Sequence, residues 1–414
     1  MRLQLASGLL ATSLLCVTGL DLYDDGAQTV FRSTATADDV LASRLESLPE
    51  SHLEQLVDHM RSLPEKRLIS TSPGEQRWIT EGEKALLVLS GTRFIDLTDS
   101  IDERALESKS METLPASLKH ADKLSAYFDA LSTDRMKAFL TTFSGFRTRY
   151  YRSQTGKESS EWLQAQVQQL ALKHKSLNMS VAAFPHSWGQ SSVIARLPRA
   201  THPDAAIEAQ LARDEQVVII SAHQDSTNLL PFLAAPGADD DGSGSTTIFE
   251  ALTVLVEKQH RPVNHTVEFH WYSAEEGGLL GSQAVSQAYA GMGQKVKGVQ
   301  HFDMTAWVKA GTEPRMGIIQ DYISPELTAF VEKLGKEYVQ IPLVQTQCGY
   351  ACSDHASWTK IGAPSAFAIE ATFQDSNTQN IHSTRDTIDH PEFSFKHAAQ
   401  FSRLAIAFVA ELAG

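Results

Sequence analysis

Apolar runs alternate with helical patterns through the second half of the chain, and this alternation restricts the fold more than any other feature. Helical periodicity occupies residues 245–259 and 282–289, between and beside the apolar runs, which are residues 217–221, 267–273, 299–302, 316–319 and 365–369. This order predicts an α/β fold with three layers, in which a mixed, largely parallel sheet is covered by helices on both faces. Folds of this kind bind ligands beyond the carboxyl ends of their strands.

The composition fits a chain with a large buried core and excludes two classes of partner. Hydrophobic residues make up 42% of the 414 positions and charged residues 21%, which is typical of globular proteins and not of disordered ones. The formal net charge of −14 would repel phosphate backbones and anionic lipid. We therefore expect neither a nucleic-acid partner nor a stable membrane partner. Separately, we expect the chain to be a monomer.

Polar clusters follow the predicted strands at the edge where a ligand would bind. The clusters are residues 223–226 (HQDS), 236–244 with Asp239-Asp240-Asp241, 275–278 with Glu275-Glu276, 303–305 (DMT) and 381–387 with His382 and Asp386. Each cluster taken alone has an ordinary explanation as a satisfied polar group or a solvated loop. Taken together, so many carboxylates in a partly dry cleft would be costly without cations to neutralise them.

The residue types in these clusters indicate zinc chemistry. Imidazole and carboxylate are zinc ligands, and two zinc ions that share a carboxylate can polarise a carbonyl and activate water against it. A nearby carboxylate can then act as general base, and Glu275 and Glu276 are able to divide ligation and proton transfer between them. Adjacent side chains of an extended segment point in opposite directions, so this division requires a local kink.

The first 20 residues have the pattern of an export signal. An apolar run at residues 3–20 follows Met1-Arg2, and its core at residues 9–17 is short for a membrane-spanning helix. We predict a signal peptide over residues 1–20 and a secreted, extracellular or periplasmic protein; an uncleaved N-terminal anchor is the alternative.

The cysteines agree with export. Cys16 lies within the predicted signal, and Cys348 and Cys352 are four residues apart. A pair this close suggests a small disulfide ring in an oxidising compartment. The competing interpretations are two free thiols, or two ligands of a metal site whose other ligands are missing.

Residues 21–113 form a separate N-terminal segment with mixed α and β patterns. The capping-box pattern of residues 51–54 predicts a helix to about Met60, and residues 85–89 predict a short buried strand. The segment carries no catalytic cluster. We predict a small α+β pro-region, removed from a zymogen, and a permanently attached accessory domain is the alternative; the catalytic domain then occupies residues 114–414.

Six motifs together resemble the secreted, zinc-dependent leucyl aminopeptidases of peptidase family M28, of bacterial and fungal type. In chain order they are HQDS at 223–226, PGADDDGSG at 236–244, SAEEGGLLGS at 273–282, DMT at 303–305, CGYACSDHASW at 348–358 and IHSTRDT at 381–387. The resemblance covers about residues 118–414, and the segment 143–162, which begins FSGFRTRYY, is similar to the family's opening helices.

The resemblance implies the zinc-exopeptidase fold and two Zn²⁺ ions per chain. Asp240 would bridge both ions, and the peptide bond between Asp240 and Asp241 would be cis. The remaining ligands would be His223 and Asp303 on one ion and Glu276 and His382 on the other.

The resemblance also implies roles for residues around the metals. Glu275 would be the general base, and Asp225 would orient the His223 imidazole. Tyr350, held by the Cys348–Cys352 ring, would donate to the oxyanion of the tetrahedral intermediate.

The substrate implied by the resemblance is the N-terminus of a peptide or protein whose first residue is large and apolar, such as Leu. Met304, Phe373 and Ile381 lie beside ligands in the sequence and are candidates for an apolar pocket. Core packing explains Phe373 equally well.

Three other functions compete with a zinc aminopeptidase. The first is a glutaminyl-cyclase-like acyl transferase, which shares the fold and works with one zinc ion. The second is a non-catalytic binding ectodomain, which would have lost metal ligands, whereas every predicted ligand position here carries a residue able to bind metal. A serine hydrolase is disfavoured because Gly242-Ser243-Gly244 lacks the spacing of a nucleophile elbow and is better explained as the flexible start and N-cap of a helix.

Overall fold

The computed structural model describes residues 36–72, 74–100 and 114–414. The predicted signal peptide at 1–20 and Cys16 lie outside the described residues. Within the described ranges, residues 36–98 form one compact unit together with Leu229–Phe232, and the other residues form a second. A boundary at residue 113 and a pro-region role for the first unit remain predictions.

The first unit is a small α+β unit, as its sequence predicts. Its antiparallel sheet has the order β2-β1-β3 and is accompanied by three helices in the described part of the unit. The strands are β1 (Lys66–Ser72), β2 (Glu75–Thr80) and β3 (Ile95–Asp96), and the helices are α1 (Ala37–Ser47), α2 (Glu50–Ser62) and α3 (Lys84–Ser90).

Two predictions for this unit were wrong in detail. The predicted strand at 85–89 is helix α3, whose apolar side chains are nearly all buried, and a helix that is apolar on every side cannot be told from a buried strand by periodicity. The predicted helix is present as α2, but it begins at Glu50 after Pro49 and has no side-chain cap, so the capping box of residues 51–54 is not used.

The second unit contains a mixed eight-stranded sheet in the order β10-β9-β11-β8-β6-β7-β5-β4. The four central strands, β11, β8, β6 and β7, are parallel, whereas β5 pairs with β7 and β9 pairs with β11 in antiparallel fashion. The strands are β4 (Ser180–Phe184), β5 (Ser192–Leu197), β6 (Val217–His223), β7 (Thr266–Tyr272), β8 (Val296–Phe302), β9 (Met316–Ile319), β10 (Leu343–Thr346) and β11 (Ser365–Ile369).

Helices cover both faces of this sheet, as predicted. They are α4 (Ala121–Phe128), α5 (Thr133–Phe143), α6 (Gln154–Lys173), α7 (Ala205–Asp214), α8 (Gly242–Glu257), α9 (Leu280–Gly291), α10 (Pro325–Tyr338), α11 (His355–Lys360) and α12 (Phe395–Ala413). In the ranges that the structure describes, none of the helices is both long and apolar enough to span a membrane.

Strand β6 shows why its sequence is apolar at nearly every position. Val218 and Ile220 belong to the core cluster that contains α8 and α12 residues, whereas Val217 and Ile219 belong to the cluster that contains Val285 of α9. Alternate side chains therefore enter opposite layers, and a strand covered on both faces needs apolar residues at even and odd positions. This arrangement leaves the carboxyl edge of the parallel strands as the place for polar residues.

Candidate metal centre

The five predicted ligands come from loops at the carboxyl edge of the parallel strands. His223 is the last residue of β6, Asp303 directly follows β8, and Glu276 lies four residues beyond β7. Asp240 precedes α8, and His382 lies in the loop between β11 and α12. Parallel strands end at the same edge, so residues far apart in sequence meet there.

The first group of donors consists of His223, Asp240 and Asp303. The Nε2 atom of His223 lies 3.2 Å from Oδ1 of Asp240 and 3.6 Å from Oδ1 of Asp303. One donor atom from each of the three residues lies within 4.8 Å of the others, and all three residues are buried. This spacing suits a single cation between them.

The second group consists of Asp240, Glu276 and His382. The Nε2 atom of His382 lies 3.1 Å from Oδ2 of Asp240 and 3.0 Å from Oε2 of Glu276. The two oxygens of Asp240 thus face different imidazoles, with Oδ1 in the first group and Oδ2 in the second. A carboxylate in this position is able to ligate two cations at once.

Some polar atoms of the candidate ligands have unused hydrogen-bonding capacity. Both ring nitrogens of the buried His223, and Oε1 of Glu276, have no hydrogen-bond partner among the residues that the structure describes. Buried polar atoms are nearly always paired, so such atoms need an explanation. Two imidazoles with three carboxylates make a ligand set that zinc accepts, and a bound cation would account for the unpaired atoms.

Burial and charge act in opposite directions on these ligands. Burial alone would lower the pKa of His223, but the carboxylates of Asp303, Asp225 and Asp240 raise it well above the usual value. For Asp240, burial works to raise the pKa, and the two imidazoles of His223 and His382 lower it overall. The surroundings therefore stabilise the charged forms of His223 and Asp240.

The kink required at Glu275 and Glu276 is present. Ala274 adopts a left-handed conformation with φ of 58°, which is unusual for a residue other than glycine. Asp225 holds the turn, since its Oδ1 accepts from the Glu275 amide at 3.0 Å and its Oδ2 from the Glu276 amide at 3.2 Å. The Asp225 Oδ1 atom also lies 3.5 Å from Nδ1 of His223. Asp225 therefore positions two neighbouring loops as well as the imidazole for which it was predicted.

Glu275 lies next to the second group of donors without being part of it. Burial raises the pKa of its carboxyl group well above the usual value, and Glu276 and Asp354 raise it further, while His223 opposes the shift. A carboxylate whose proton affinity is increased in this way is suited to accept a proton.

Asp241 and Asp386 lie in two of the predicted polar clusters, but no ligand or orienting role was predicted for either side chain. Asp241 is the N-cap of α8, a role predicted for the Gly-Ser-Gly segment that follows it; its Oδ1 accepts from the amides of Gly244 at 2.8 Å and Met304 at 3.0 Å. Its Oδ2 accepts from the His223 amide at 3.1 Å, and the Asp240–Asp241 bond is cis, as predicted. Asp241 thereby joins three ligand-bearing segments.

Asp386 also holds the loop that carries Asp240. Its two oxygens accept from the amides of Asp239 at 2.9 Å and Asp240 at 3.1 Å. Asp386 lies in the IHSTRDT motif four residues after His382. Its place in this motif is the only sequence signal for Asp386, because no periodicity links it to Asp240, which lies 146 residues earlier.

The predicted pocket residues lie in one apolar cluster. Met304 is buried in it with Ile319, Phe367 and Ile369, and the partly buried members include Phe373, Ile381, Cys348 and Cys352. Cys348 and Cys352 form the predicted disulfide, and the Tyr350 ring lies edge-on to that of Phe373 with centroids 6.3 Å apart. The cluster supports a pocket wall but is also a core, so the substrate role of its members stays a prediction.

Gly281 allows α9 to pack against the strand end that leads to Glu275. A Cβ atom at Gly281 would lie 2.0 Å from the Ser273 carbonyl oxygen, whereas one at Gly291, in the same helix, would meet no atom within 4 Å. We expect Gly281→Ala to lower the free energy of unfolding by about 1 to 3 kcal/mol. Gly291→Ala is the control and should be neutral or slightly stabilising. Thermal unfolding of both variants checks this, and equal midpoints would contradict it.

Comparison with known proteins agrees with this geometry. Residues 205–409 match the model of peptidase family M28. Leucine aminopeptidase 1 of Coccidioides posadasii is 44% identical over 391 residues, which cover 88% of this chain and 96% of that protein. The chain is thus similar to that protein over nearly its whole length.

Two solved structures are also similar. The LapA aminopeptidase of Legionella pneumophila superposes with a TM-score of 0.72 at 27% identity, covering 84% of this chain and 99% of that one. A glutaminyl cyclase of Bacteroides thetaiotaomicron gives a TM-score of 0.50 at 13% identity, covering 67% of this chain and 97% of the other, and this likeness concerns the fold alone.

Proposed function

The chain belongs to peptidase family M28 and is a metallo-aminopeptidase, and we propose that it removes the N-terminal residue of peptides with two zinc ions and Glu275 as general base. The ligands in this proposal are His223 and Asp303 on one ion, Glu276 and His382 on the other, and Asp240 on both. The family's zinc dependence and the two donor groups support it.

One observation carries the proposal. The two oxygens of Asp240 lie 3.2 Å and 3.1 Å from the nearest nitrogens of two different histidines, each of which belongs to its own group of three donors. A mononuclear site needs only one such group. The duplication about a single carboxylate supports a site for two ions.

The chemistry follows from the placement of the side chains. When bound, the zinc ions would polarise the scissile carbonyl and lower the pKa of a water molecule toward neutrality. Glu275 is proposed to accept a proton from the attacking water and to deliver it to the leaving amine. Tyr350 is proposed to donate a hydrogen bond to the developing oxyanion.

The proposed substrate is a peptide with a large apolar first residue such as Leu. The apolar cluster of Met304, Phe373 and Ile381 supports this preference, as do the relatives described as leucine aminopeptidases. The apolar N-terminal run and the Cys348–Cys352 disulfide support a secreted enzyme, since such bonds persist in oxidising compartments.

Release of the anilide from leucyl-anilide tests the activity. We expect rapid hydrolysis by the zinc-loaded protein, loss of activity on treatment with a chelator because the ligands hold the ions reversibly, and recovery when zinc is added back. An N-terminally blocked leucyl-anilide is the control and should remain intact. Zinc-loaded protein that leaves leucyl-anilide unchanged but cyclises an N-terminal glutaminyl peptide would contradict the proposal and favour the acyl transferase.

A further inference from the structure

Arg149 is a fully buried cation whose guanidinium group points into the loops of the metal centre. Its Nε donates to the carbonyl oxygen of Gln224 at 2.8 Å and its Nη2 to that of Gly237 at 2.7 Å, while Nη1 donates to the carbonyl of Pro236. The charge also lies over the Phe143 ring, 4.3 Å from its centroid.

These acceptors belong to two different ligand-bearing segments. Gln224 directly follows the ligand His223, and Gly237 precedes the shared ligand Asp240 by three residues. A single rigid guanidinium thus joins the end of β6 to the loop before α8. Its planar fork makes this possible, because several donors point in fixed and different directions.

The packing around the guanidinium is close. A Cβ atom at Gly237, where φ is 52°, would lie 2.9 Å from Nη2 of Arg149 and 2.6 Å from the carbonyl oxygen of Asp240. The Arg149 backbone is fixed as well, since its amide donates to Oγ of Ser226 at 3.0 Å and its carbonyl accepts from Nε2 of Gln190 at 2.9 Å. Glycine at 237 lets the loop reach the guanidinium.

The charge of Arg149 has a second effect on the site. Asp386, Asp225, Asp241 and Asp240 attract it, and although burial lowers the pKa of Arg149 to about 10, the group remains charged at neutral pH. A fixed positive charge among several carboxylates opposes their mutual repulsion. Arg149 is therefore placed to hold the ligand loops together whether or not a cation is present.

We propose that Arg149 is a positioning residue that sets the spacing between the His223 and Asp240 loops and thereby raises the affinity of the site for zinc. The proposal rests on the zinc site of the proposed function. A general packing role would affect the stability of the fold, whereas this role concerns the metal affinity and the ligand geometry of the folded protein.

Arg149→Lys tests the geometry of the guanidinium group independently of its positive charge. Lysine keeps the positive charge but cannot span carbonyls of both loops. Arg403→Lys is the matched control, because Arg403 also lies over a phenylalanine ring, 4.1 Å from the Phe128 centroid, and donates to the carbonyl of Tyr338 at 2.8 Å, which is not part of the site.

Three measurements are made on each full-length variant. Zinc affinity is determined by competition with a chromophoric chelator, ligand geometry by the visible absorption spectrum of the Co²⁺-substituted protein, and folding by thermal unfolding of the metal-free protein. We expect Arg149→Lys to bind zinc about 10- to 100-fold more weakly, as loss of an outer-shell partner generally does, with a changed cobalt spectrum. Arg403→Lys should match the wild type in affinity and spectrum.

A folded Arg149→Lys variant with wild-type zinc affinity and cobalt spectrum would overturn the inference. If Arg149→Lys does not fold, Ser226→Ala, which removes the partner of the Arg149 amide, is measured in the same way; weaker zinc binding supports the proposal, and unchanged affinity and spectrum overturn it. Failure of the wild-type protein to bind zinc would instead contradict the proposed function, so the two failures are distinguishable.

Discussion

Glu275→Gln is expected to lower kcat by about 10²- to 10⁴-fold while zinc content stays at the wild-type level. The amide keeps the shape of the side chain but cannot accept a proton from water. Glu275 is not one of the donors of either metal group, so its replacement should leave both intact. Burial and its carboxylate neighbours raise the pKa of Glu275, as suits a proton acceptor.

Glu276, the residue next to Glu275, provides the most direct comparison with Glu275→Gln. Glu276→Gln changes the neighbouring position in the same way, but Oε2 of Glu276 lies 3.0 Å from the His382 imidazole within a donor group. We therefore expect Glu276→Gln to lose zinc as well as activity, whereas Glu275→Gln loses activity alone. Glu337→Gln, at an exposed position on α10, serves as the surface control. Metal analysis and steady-state kinetics of the three variants test the assignment, and fast hydrolysis by Glu275→Gln would refute it.

The sequence predicted the edge that carries the candidate ligands because two of them lie at the ends of strongly marked strands. His223 ends an apolar strand and Asp303 directly follows another, so the strand pattern alone places them at one edge. The kink at Ala274 could also be anticipated, because two adjacent glutamates with different roles require it. Local sequence signals were sufficient where a predicted ligand lies at the end of a strand.

The supporting residues were missed because their partners are distant in sequence. Arg149 contacts the carbonyl of Gln224 from 75 positions away, and Asp386 contacts the Asp240 amide from 146 positions away. Glu370 directly follows β11 at the same edge as the ligands, and its carboxylate accepts from the Trp307 amide at 2.7 Å. No periodicity specifies which backbone groups such side chains reach.

These supporting residues explain how a densely charged site can be held in place. Asp241, Asp225 and Asp386 each accept hydrogen bonds from two or more backbone amides, so each of these carboxyl groups fixes the loops around it. The proposed ligands can then face one another without having to hold these loops themselves.

Asp240→Ala should remove both zinc ions and the activity together, and this is the most informative single change at the site. Oδ1 belongs to one donor group and Oδ2 to the other, so the substitution leaves each group with two protein donors. Loss of an outer-shell partner costs about 10- to 100-fold in metal affinity, and loss of a shared ligand should cost more.

The measurement is zinc stoichiometry after dialysis, followed by titration with zinc in the presence of a chelator. Asp214→Ala, at the exposed end of α7, is the control and should retain wild-type zinc content and turnover. Asp303→Ala adds a comparison, because Asp303 contributes to one donor group alone and its loss should release one ion more readily than the other. If Asp240→Ala instead lost a single ion and kept the second with unchanged affinity, Asp240 would not bridge, and the two donor groups would have to be assigned to separate, independent sites.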